Sequence, residues 1–598
     1  MCGIIGYASP RSGRNVRDVL LDGLSCLEYR GYDSAGVAVA NSSIAVHKRE
    51  GEVSTLEDAL PDRAPDGYAG IGHTRWSTHG QPSDRNAHPH TDCDDRIAVV
   101  HNGIIENAHT LRDALEADGH TFTSETDTEV IPHLIEKGLD RGDDVETAFR
   151  RAVDRLEGSY AVAAVCAGHR TIYATRQQSP LVIGVDGGRY FLASDVPAFL
   201  EYTDDVIYLE DGQFAAIRPP DVEVTDRHGG LVETDVETVD WDPEDATKNG
   251  YDHYMLKEIR EQPHALRKCL RGRVDAPGRS VSIDAVEAIT EPNHVHFVAC
   301  GTSYHASLYA ARLFRERGMR ATPFLASQYD LDAIPIGTDT LVVGVTQSGE
   351  TADTVSALQV ANDVGATTLT VTNVVGSSAT READHAMYIR AGPEISVAAT
   401  KTFVSQQAAL AMLSSAFSGE CTREFVTGIR ALPDRIQSIL DQSRAKAIAA
   451  EYADADAYFP IGRGSNAAAA LEGALKIKEI TYKHAEGFPA GELKHGPLAL
   501  VTDRTPVFAI VDGDSEAETM IGTLNEVDAR GAPVIAVTDC PETIEPHADH
   551  VLEVPETDSR FTPILATVQL QLVSYWIANR LGRSIDKPRN LAKSVTVE

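Results

Sequence analysis

The stretch His294-Val295-His296-Phe297-Val298-Ala299-Cys300-Gly301-Thr302-Ser303 decides the fold of the larger half of the chain. A short apolar run, of the length and make-up of a buried strand, passes directly into small residues and hydroxyls and then into a helical pattern. The device recurs where Thr340–Val345 (TLVVGV) leads into Thr346-Gln347-Ser348-Gly349-Glu350-Thr351. TTLTVT (367–372) and HAMYIR (385–390) continue the alternation of strands with helical stretches. Such alternation predicts a parallel sheet with helices on both faces, and sheets of this kind take ligands beyond the carboxyl ends of their strands. Free N–H groups at a helix start, with small residues and hydroxyls, form an anion cradle suited to the phosphate of a phosphosugar. The same Ser and Thr side chains also serve as ordinary helix caps. No GxxxxGK[ST] pattern is present, which argues against a nucleoside triphosphate.

Working outward, the unit repeats. Thr367–Asn373 echoes Pro533–Asp539, Ala383-Asp384-His385 echoes Ala548-Asp549-His550, and Pro393-Glu394 echoes Pro555-Glu556. A second strand-and-helix unit therefore follows the first. It contains a helical stretch, Leu471–Ile480, with Glu472, Lys476, Glu479 and Lys483 at spacings that share one face; spacing alone favours a solvated ion-pair face. Only 13 of the 54 cationic residues are Lys, and Lys476, Lys478, Lys483, Lys494 and Lys593 fall in or near these motifs.

The first 220 residues read differently. Short strands crowd residues 159–195, with a hairpin signal at Asp186-Gly187-Gly188. Helical patterns occur near 14–29, 105–118 and 127–139, which together suggest layers of sheet and helix. Cys2 follows the initiator Met. With Met1 removed, one residue carries a nucleophilic thiol and an α-amine of pKa about 7.7–8.0 that can act as its base. The expected boundaries are a first domain over 1–220, a polar linker over 221–250, repeat units over 251–425 and 445–588, and a tail over 589–598.

Composition bounds the partners. Eighty-nine acidic residues against 54 basic ones give a net charge of −35, which excludes a general phosphate-backbone binder; no nucleic acid is expected. An acidic, Lys-poor surface suits concentrated salt, where repulsion is screened, so a halophilic source is expected. No apolar run is long enough to span a membrane and the N-terminus lacks the pattern of a signal peptide. The eight Cys form no CxxC pair, which suggests neither a zinc knuckle nor a disulfide framework, and a reducing cytoplasm is the expected compartment.

The motifs Tyr29–Gly36, His73–Gly80, Asn86–His90, His101–Asn107 and Ser124–Glu129, with Cys2, resemble the N-terminal-nucleophile (class II) glutamine amidotransferase domain. The corners at 300–303 and 346–351 resemble the sugar isomerase (SIS) phosphosugar-binding domain. With the tail Pro588–Glu598, the whole chain is similar to the isomerizing glutamine–fructose-6-phosphate aminotransferases. The fold implied is α/β: an αββα sandwich of the N-terminal-nucleophile hydrolase type, then two tandem doubly wound, flavodoxin-like parallel sheets.

The resemblance implies L-glutamine and fructose 6-phosphate as substrates and a homodimer through the SIS half. It makes Cys2 the nucleophile, with an oxyanion hole at Asn102 and Gly103. Glutamine is held by Arg75 and Asp127, with Arg30, Trp76, Thr78 and His79 around it; Trp76 matches a mobile gate. His88 also matches a family position, where a structural role is as good a reading. Ammonia then needs an enclosed route, with Trp76 and the tail as walls. The sugar phosphate falls to Cys300, Gly301, Thr302, Ser303, Thr346, Gln347, Ser348 and Thr351. His495 is implied as ring-opening acid/base and Lys593 as the imine-forming amine. Glu479 is implied as the base between C1 and C2, with Lys476 holding it ionised or sharing in proton transfer. Ala399 and Gln328 depart from the family pattern. No metal or organic cofactor is expected, since no ligand cluster stands out. Two other readings compete: another class II amidotransferase, which should lack the repeat, and a phosphosugar-sensing protein, which would not need Cys2, Glu479, His495 and Lys593 together.

Overall fold

A computed structural model describes residues 2–10, 16–61, 67–77, 79–239, 247–275, 280–289, 292–419, 421–513 and 517–595. It divides into two compact units, Met1–Thr247 with Ala592–Glu598, and Lys248–Leu591.

The strands of the first unit are β1 (Gly3–Ala8), β2 (Ser34–Ala40), β3 (Ile44–Glu50), β4 (Ala69–Arg75), β5 (His90–Thr91), β6 (Ile97–Ile105), β7 (Gly158–Cys166), β8 (Ile172–Gln177), β9 (Val182–Asp186), β10 (Arg189–Ala193), β11 (Asp205–Tyr208), β12 (Phe214–Arg218), β13 (Asp221–Thr225) and β14 (Glu237–Thr238). They form an eight-stranded sheet, β14-β11-β9-β10-β1-β4-β2-β3, and a six-stranded sheet, β13-β12-β8-β7-β6-β5, both antiparallel. Alternation along β1 explains the layering. Ile4 and Ala8 enter the core between the sheets, whereas Ile5 and Tyr7 face helix Val16–Leu27. That helix buries Val16, Val19, Leu20, Gly23, Leu24 and Leu27, one continuous stripe. Helices Ala108–Ala117, Val130–Asp140 and Val145–Val153 cover the far side of the second sheet. The result is the expected αββα sandwich. The hairpin at Gly187-Gly188 joins β9 to β10 with φ of 52° and 89°, a pair of positive angles that glycine adopts without strain.

Two features differ from expectation. The stretch after residue 220 is not all linker: β13 and β14 lie within it and extend one edge of each sheet. The polar, turn-rich composition masked a period-two alternation in DVEVT, which belongs to an edge strand with one face in water. The tail also does not stand as one piece with the residues before it, since Ala592–Glu598 group with the first unit.

In the second unit a small hairpin, β15 (Val274–Asp275) and β16 (Ser280–Val281), precedes two parallel sheets. The first contains β17 (His294–Ala299), β18 (Arg320–Leu325), β19 (Thr340–Val345), β20 (Thr367–Thr372) and β21 (His385–Tyr388), in the order β18-β17-β19-β20-β21. The second contains β22 (Ala457–Gly462), β23 (His484–Ala485), β24 (Phe488–Pro489), β25 (Val507–Val511), β26 (Val534–Thr538) and β27 (His550–Glu553). Its order is β23-β22-β25-β26-β27, with β24 also on β22. Both are the doubly wound 2-1-3-4-5 arrangement, so the sequence repeat is a repeat of topology, and each copy reverses direction beside its first strand. Helices Lys401–Ser418 and Thr562–Arg580 are buried on nearly every side and contribute to one core with residues of both sheets.

Phe191 anchors the outer core of the first unit, fully buried with ring centroids 5.1, 5.8 and 5.0 Å from Tyr7, Phe199 and Tyr202. Phe191→Ala is expected to destabilise that unit by about 3–5 kcal/mol, read as an earlier unfolding transition in a urea titration.

Candidate active site

Cys2 lies just before β1, and β1 is paired on both edges, with Gly3 opposite Thr74 of β4. This register carries the β4 strand past the thiol. The Trp76 N–H donates to Cys2 Sγ at 3.3 Å, and the thiol points back at the Trp76 carbonyl at 3.5 Å. Burial pushes the thiol pKa up; the Trp76 N–H and the Arg75 charge pull it down, and Asp127 raises it. The thiol is therefore protonated near neutrality and needs a base.

The Cys2 carbonyl accepts from Asn102 Nδ2 at 2.9 Å and from Arg30 Nε at 3.3 Å. Asn102 is itself oriented: its Oδ1 lies 3.1 Å from His73 Nε2, which also lies 3.0 Å from the His101 carbonyl. A carbonyl only accepts, so Nε2 carries the hydrogen and the amide must present Nδ2 toward Cys2. Beside it, Gly103 has φ +114°, and a Cβ there would sit 2.0 Å from the Ser159 carbonyl. Only glycine fits that close approach.

The other family motifs pack around this centre. Gly31 lies against the Arg75–Trp76 peptide, where a Cβ would come within 2.6 Å of backbone. Asp33 accepts from the Ser77 N–H at 2.8 Å, and Tyr32 meets Trp76 edge-on at 5.5 Å. The Arg75 guanidinium bonds the carbonyls of His79 and Gly80 through Nη2, while its buried Nη1 has no hydrogen-bond partner. Asp127 Oδ2 accepts from the Ile105 N–H at 2.9 Å. Arg30 is buried; besides the Cys2 carbonyl it meets Asp195 at 2.9 Å, and Asp195 also receives the Tyr29 hydroxyl. Arg30 thus braces the backbone of Cys2, a different place from the glutamine contact expected of it. His79 is exposed, and Thr78 lies outside the described residues.

In the second unit, both expected corners stand at the carboxyl ends of adjacent strands, β17 and β19, where the strand order reverses. Gly301–Glu316 starts as a helix directly after Cys300. In the other corner Thr346 Oγ1 accepts from the Gly349 N–H at 3.2 Å and lies 3.1 Å from Thr351 Oγ1, while Ser348 Oγ accepts from the Glu350 N–H at 3.1 Å. Gln347 accepts from the Asn373 N–H through its backbone carbonyl. Ser303 Oγ pairs with the Gln406 side chain at 3.0 Å, and the Cys300 thiol with Asp353 at 3.8 Å.

The charged helix face is buried, contrary to a solvated ion-pair face. Helix Asn466–Thr481 places Lys476, 1 % exposed, 3.3 Å from Glu472 and 2.6 Å from Glu479. Lys476 Nζ also donates to Thr302 Oγ1 at 3.1 Å, and that hydroxyl donates to Glu472 at 3.1 Å. His305 Nδ1 is 2.7 Å from the other Glu472 oxygen. Burial opposes the ammonium charge, but Glu472 and Glu479 overcome it and hold the Lys476 pKa above its ordinary value. Lys476 is thus a fixed cation 2.6 Å from Glu479 rather than a proton relay. Thr302 joins this network, so its hydroxyl already serves the Lys476–Glu472 pair.

Sequence reasoning missed His305 and Gln406 as partners; it had placed Glu472 on the face of Lys476 and Glu479 without its contact to Thr302. Burial of the Glu472–Lys476 pair was not legible from spacing. Lys483 leaves the face and donates to the Ala455 carbonyl. His495 is exposed after a short 3₁₀ turn, and Lys593 falls with the first unit. The second copy's crevice is furnished differently: Asn466 Nδ2 donates to Asp512 at 2.9 Å, where β25 ends. Finally, Cys93, His120, His133 and Glu136 come together in the first unit, with ligand atoms all within 4.8 Å of one another. This corrects the expectation that no ligand cluster stands out; the residues are too far apart in sequence to match a spacing rule.

Burial drives the pKa of His73 down to about 3 and those of His88 and His90 well below the ordinary value, and His88 stacks on His73 at 4.1 Å. A buried neutral imidazole whose folded pKa lies below its unfolded value of about 6.5 contributes stability that is full above pH 6.5 and lost as pH falls toward 3. The unfolding free energy of the first unit, read from urea titrations, should therefore fall steadily below pH 6.5, by about 1.4 kcal/mol per pH unit for each such histidine. His88→Gln should flatten that slope by one proton.

Residues 73–201 match a glutamine amidotransferase domain, and residues 288–416 and 451–579 each match a SIS domain. The glutamine–fructose-6-phosphate aminotransferase [isomerizing] of Halobacterium salinarum is 51% identical over 613 residues, covering 100% of both chains. That of Methanothermobacter thermautotrophicus is 47% identical over 609 residues, again covering 100% of both. Among solved structures, the C-terminal domain of glucosamine-fructose-6-phosphate aminotransferase from Francisella tularensis is 34% identical with a TM-score of 0.52, covering 57% of this chain and 100% of that one. With its paired domains and full-length likeness, this chain belongs to the isomerizing glutamine–fructose-6-phosphate aminotransferase family.

Proposed function

We propose that this chain transfers the amide nitrogen of glutamine to fructose 6-phosphate, giving glutamate and glucosamine 6-phosphate, the first step of amino-sugar synthesis. The observation that carries the reading is the setting of Cys2: the residue after the initiator Met stands at the end of a central strand, its carbonyl clamped and its sulfur on the Trp76 peptide.

In the first half-reaction the α-amine takes the thiol proton and Sγ attacks the carboxamide carbon. Asn102 Nδ2 and the Gly103 N–H stabilise the oxyanion. The buried Nη1 of Arg75 supports a charge-assisted bond to the glutamine carboxylate, and Asp127 offers the counter-charge for its ammonium. Ammonia leaves with the proton, and water cleaves the thioester to glutamate.

In the second half-reaction the hydroxyls and turn N–H groups of 301–303 and 346–351 take the phosphate. His495 opens the ring. Lys593 condenses with the C2 ketone, releasing water, and ammonia displaces the lysine to leave an imine at C2. Glu479, ionised beside Lys476, removes a proton from C1 and returns one to C2, giving the amino aldose. Ammonia must pass between the two centres shielded from water. A homodimer through the second unit, a cytoplasmic setting and a salt-adapted surface belong to the same reading; among the described residues no helix is long and apolar enough to cross a membrane.

Cys2→Ala is expected to abolish glutamate release while leaving fructose 6-phosphate isomerisation intact; retained glutaminase turnover would refute the nucleophile. Lys593→Arg should remove the adduct that borohydride traps with fructose 6-phosphate, as read by intact-mass spectrometry, while an undiminished adduct at another lysine would remove Lys593 from the mechanism.

A further inference from the structure

We propose that the first unit carries a structural zinc site formed by Cys93, His120, His133 and Glu136, separate from both reaction centres. Cys93 Sγ lies 3.9 Å from His120 Nδ1 and 3.7 Å from His133 Nδ1, and Glu136 Oε2 lies 2.7 and 3.1 Å from the same two nitrogens. Four donor atoms thus converge on one point. A tetrahedral zinc with bonds of about 2.0–2.3 Å needs ligand–ligand edges of roughly 3.3–3.6 Å; the sulfur–nitrogen pairs must close in slightly and Glu136 Oε2 must give up its hydrogen bonds to the two imidazoles and move outward, all four atoms already lying within 4.8 Å of one another.

The donor chemistry selects the ion. One thiolate, two neutral imidazoles and one carboxylate suit zinc, and a full set of four protein ligands marks a structural site rather than a catalytic one. Thiolate and carboxylate together also neutralise the divalent charge. Binding displaces the thiol proton and any proton on either Nδ1 to solvent; no electrons move. The nearest competing cation is Arg96, whose Nη2 is 3.6 Å from the other Glu136 oxygen, and it is already answered by Asp92, Asp94 and Asp140 at 3.3–3.5 Å.

The surroundings are those of a built site. His133 and Glu136 are 1 % and 3 % exposed and sit three apart on helix Val130–Asp140, hence on one face. Asp92 Oδ1 accepts from the N–H groups of Arg96 and Ile97, closing the turn that presents Cys93. Glu129 Oε1 stands 4.0 Å from His133 Nε2, beyond hydrogen-bond reach, and faces the imidazole as a nearby negative charge. Glu129 is itself held by Thr123 and Ser124. Cys93 is exposed and gives the ion its way in. The site would tie the turn after β5 and the approach to helix Val130–Asp140 together, bracing the loop that carries Asp127.

The test uses the full chain, stripped with chelator and re-equilibrated with zinc or cobalt. About one zinc per chain is expected by elemental analysis, and cobalt should give a thiolate-to-metal charge-transfer band. Cys93→Ser, at an exposed position and therefore expected to fold, should lose the band and bind zinc at least about tenfold more weakly. Zinc should raise the melting temperature of the wild type and not of Cys93→Ser. The band should survive in Cys2→Ala, which excludes the N-terminal thiol as its source. Zinc binding equal in wild type and Cys93→Ser, or loss of the band in Cys2→Ala, would overturn the site.

Discussion

The hydrogen bonding of the first strand on both of its edges fixes everything in the N-terminal unit. β1 is wholly buried between β10 and β4, and its register with β4 sets Gly3 against Thr74. A slip of one residue would exchange Ile4 and Ile5 between two different cores. The same slip would carry Cys2 away from the Trp76 peptide and from Asn102. Hydrophobic register and the position of the Cys2 thiol are therefore one constraint, and the large energy of the core is what holds a single sulfur in place. His73 adds the finer adjustment by fixing which way the Asn102 amide faces.

The second unit rests on a different physical choice. Glu472, Lys476 and their neighbours are ionic groups taken out of water, and breaking such a group by removing one partner costs about 3–5 kcal/mol. The arrangement is kept because two carboxylates share one ammonium, with the Thr302 hydroxyl and His305 satisfying the remaining atoms. The network links the corner after β17 of the first sheet to a helix of the second.

Much of this was legible in the sequence, for identifiable reasons. Strands such as HVHFVA and TLVVGV are short apolar runs ended by small residues, and both lie where the reading put them. The Gly-Gly hairpin and the doubled topology followed from turn chemistry and repeated phrases. Edge strands β13 and β14 were lost in a polar stretch because one of their faces meets water. The roles of Arg30 and Glu472 depended on partners 165 residues and 170 residues away, and no local pattern encodes such a contact. Cys93 and His120 escaped notice similarly: a ligand set drawn from a turn, a loop and a helix has no fixed spacing.

The duplicated sheet has one more consequence. Both copies reverse strand order beside their first strand, so both have a crevice of the sort that receives small anions. The first opens among hydroxyls and turn amides, whereas the second presents Asp512, whose carboxylate is held by Asn466. The duplication thus leaves two strand-end crevices lined by different side chains, and the helix that carries Glu472 and Lys476 in the second copy reaches across to the Thr302 hydroxyl of the first.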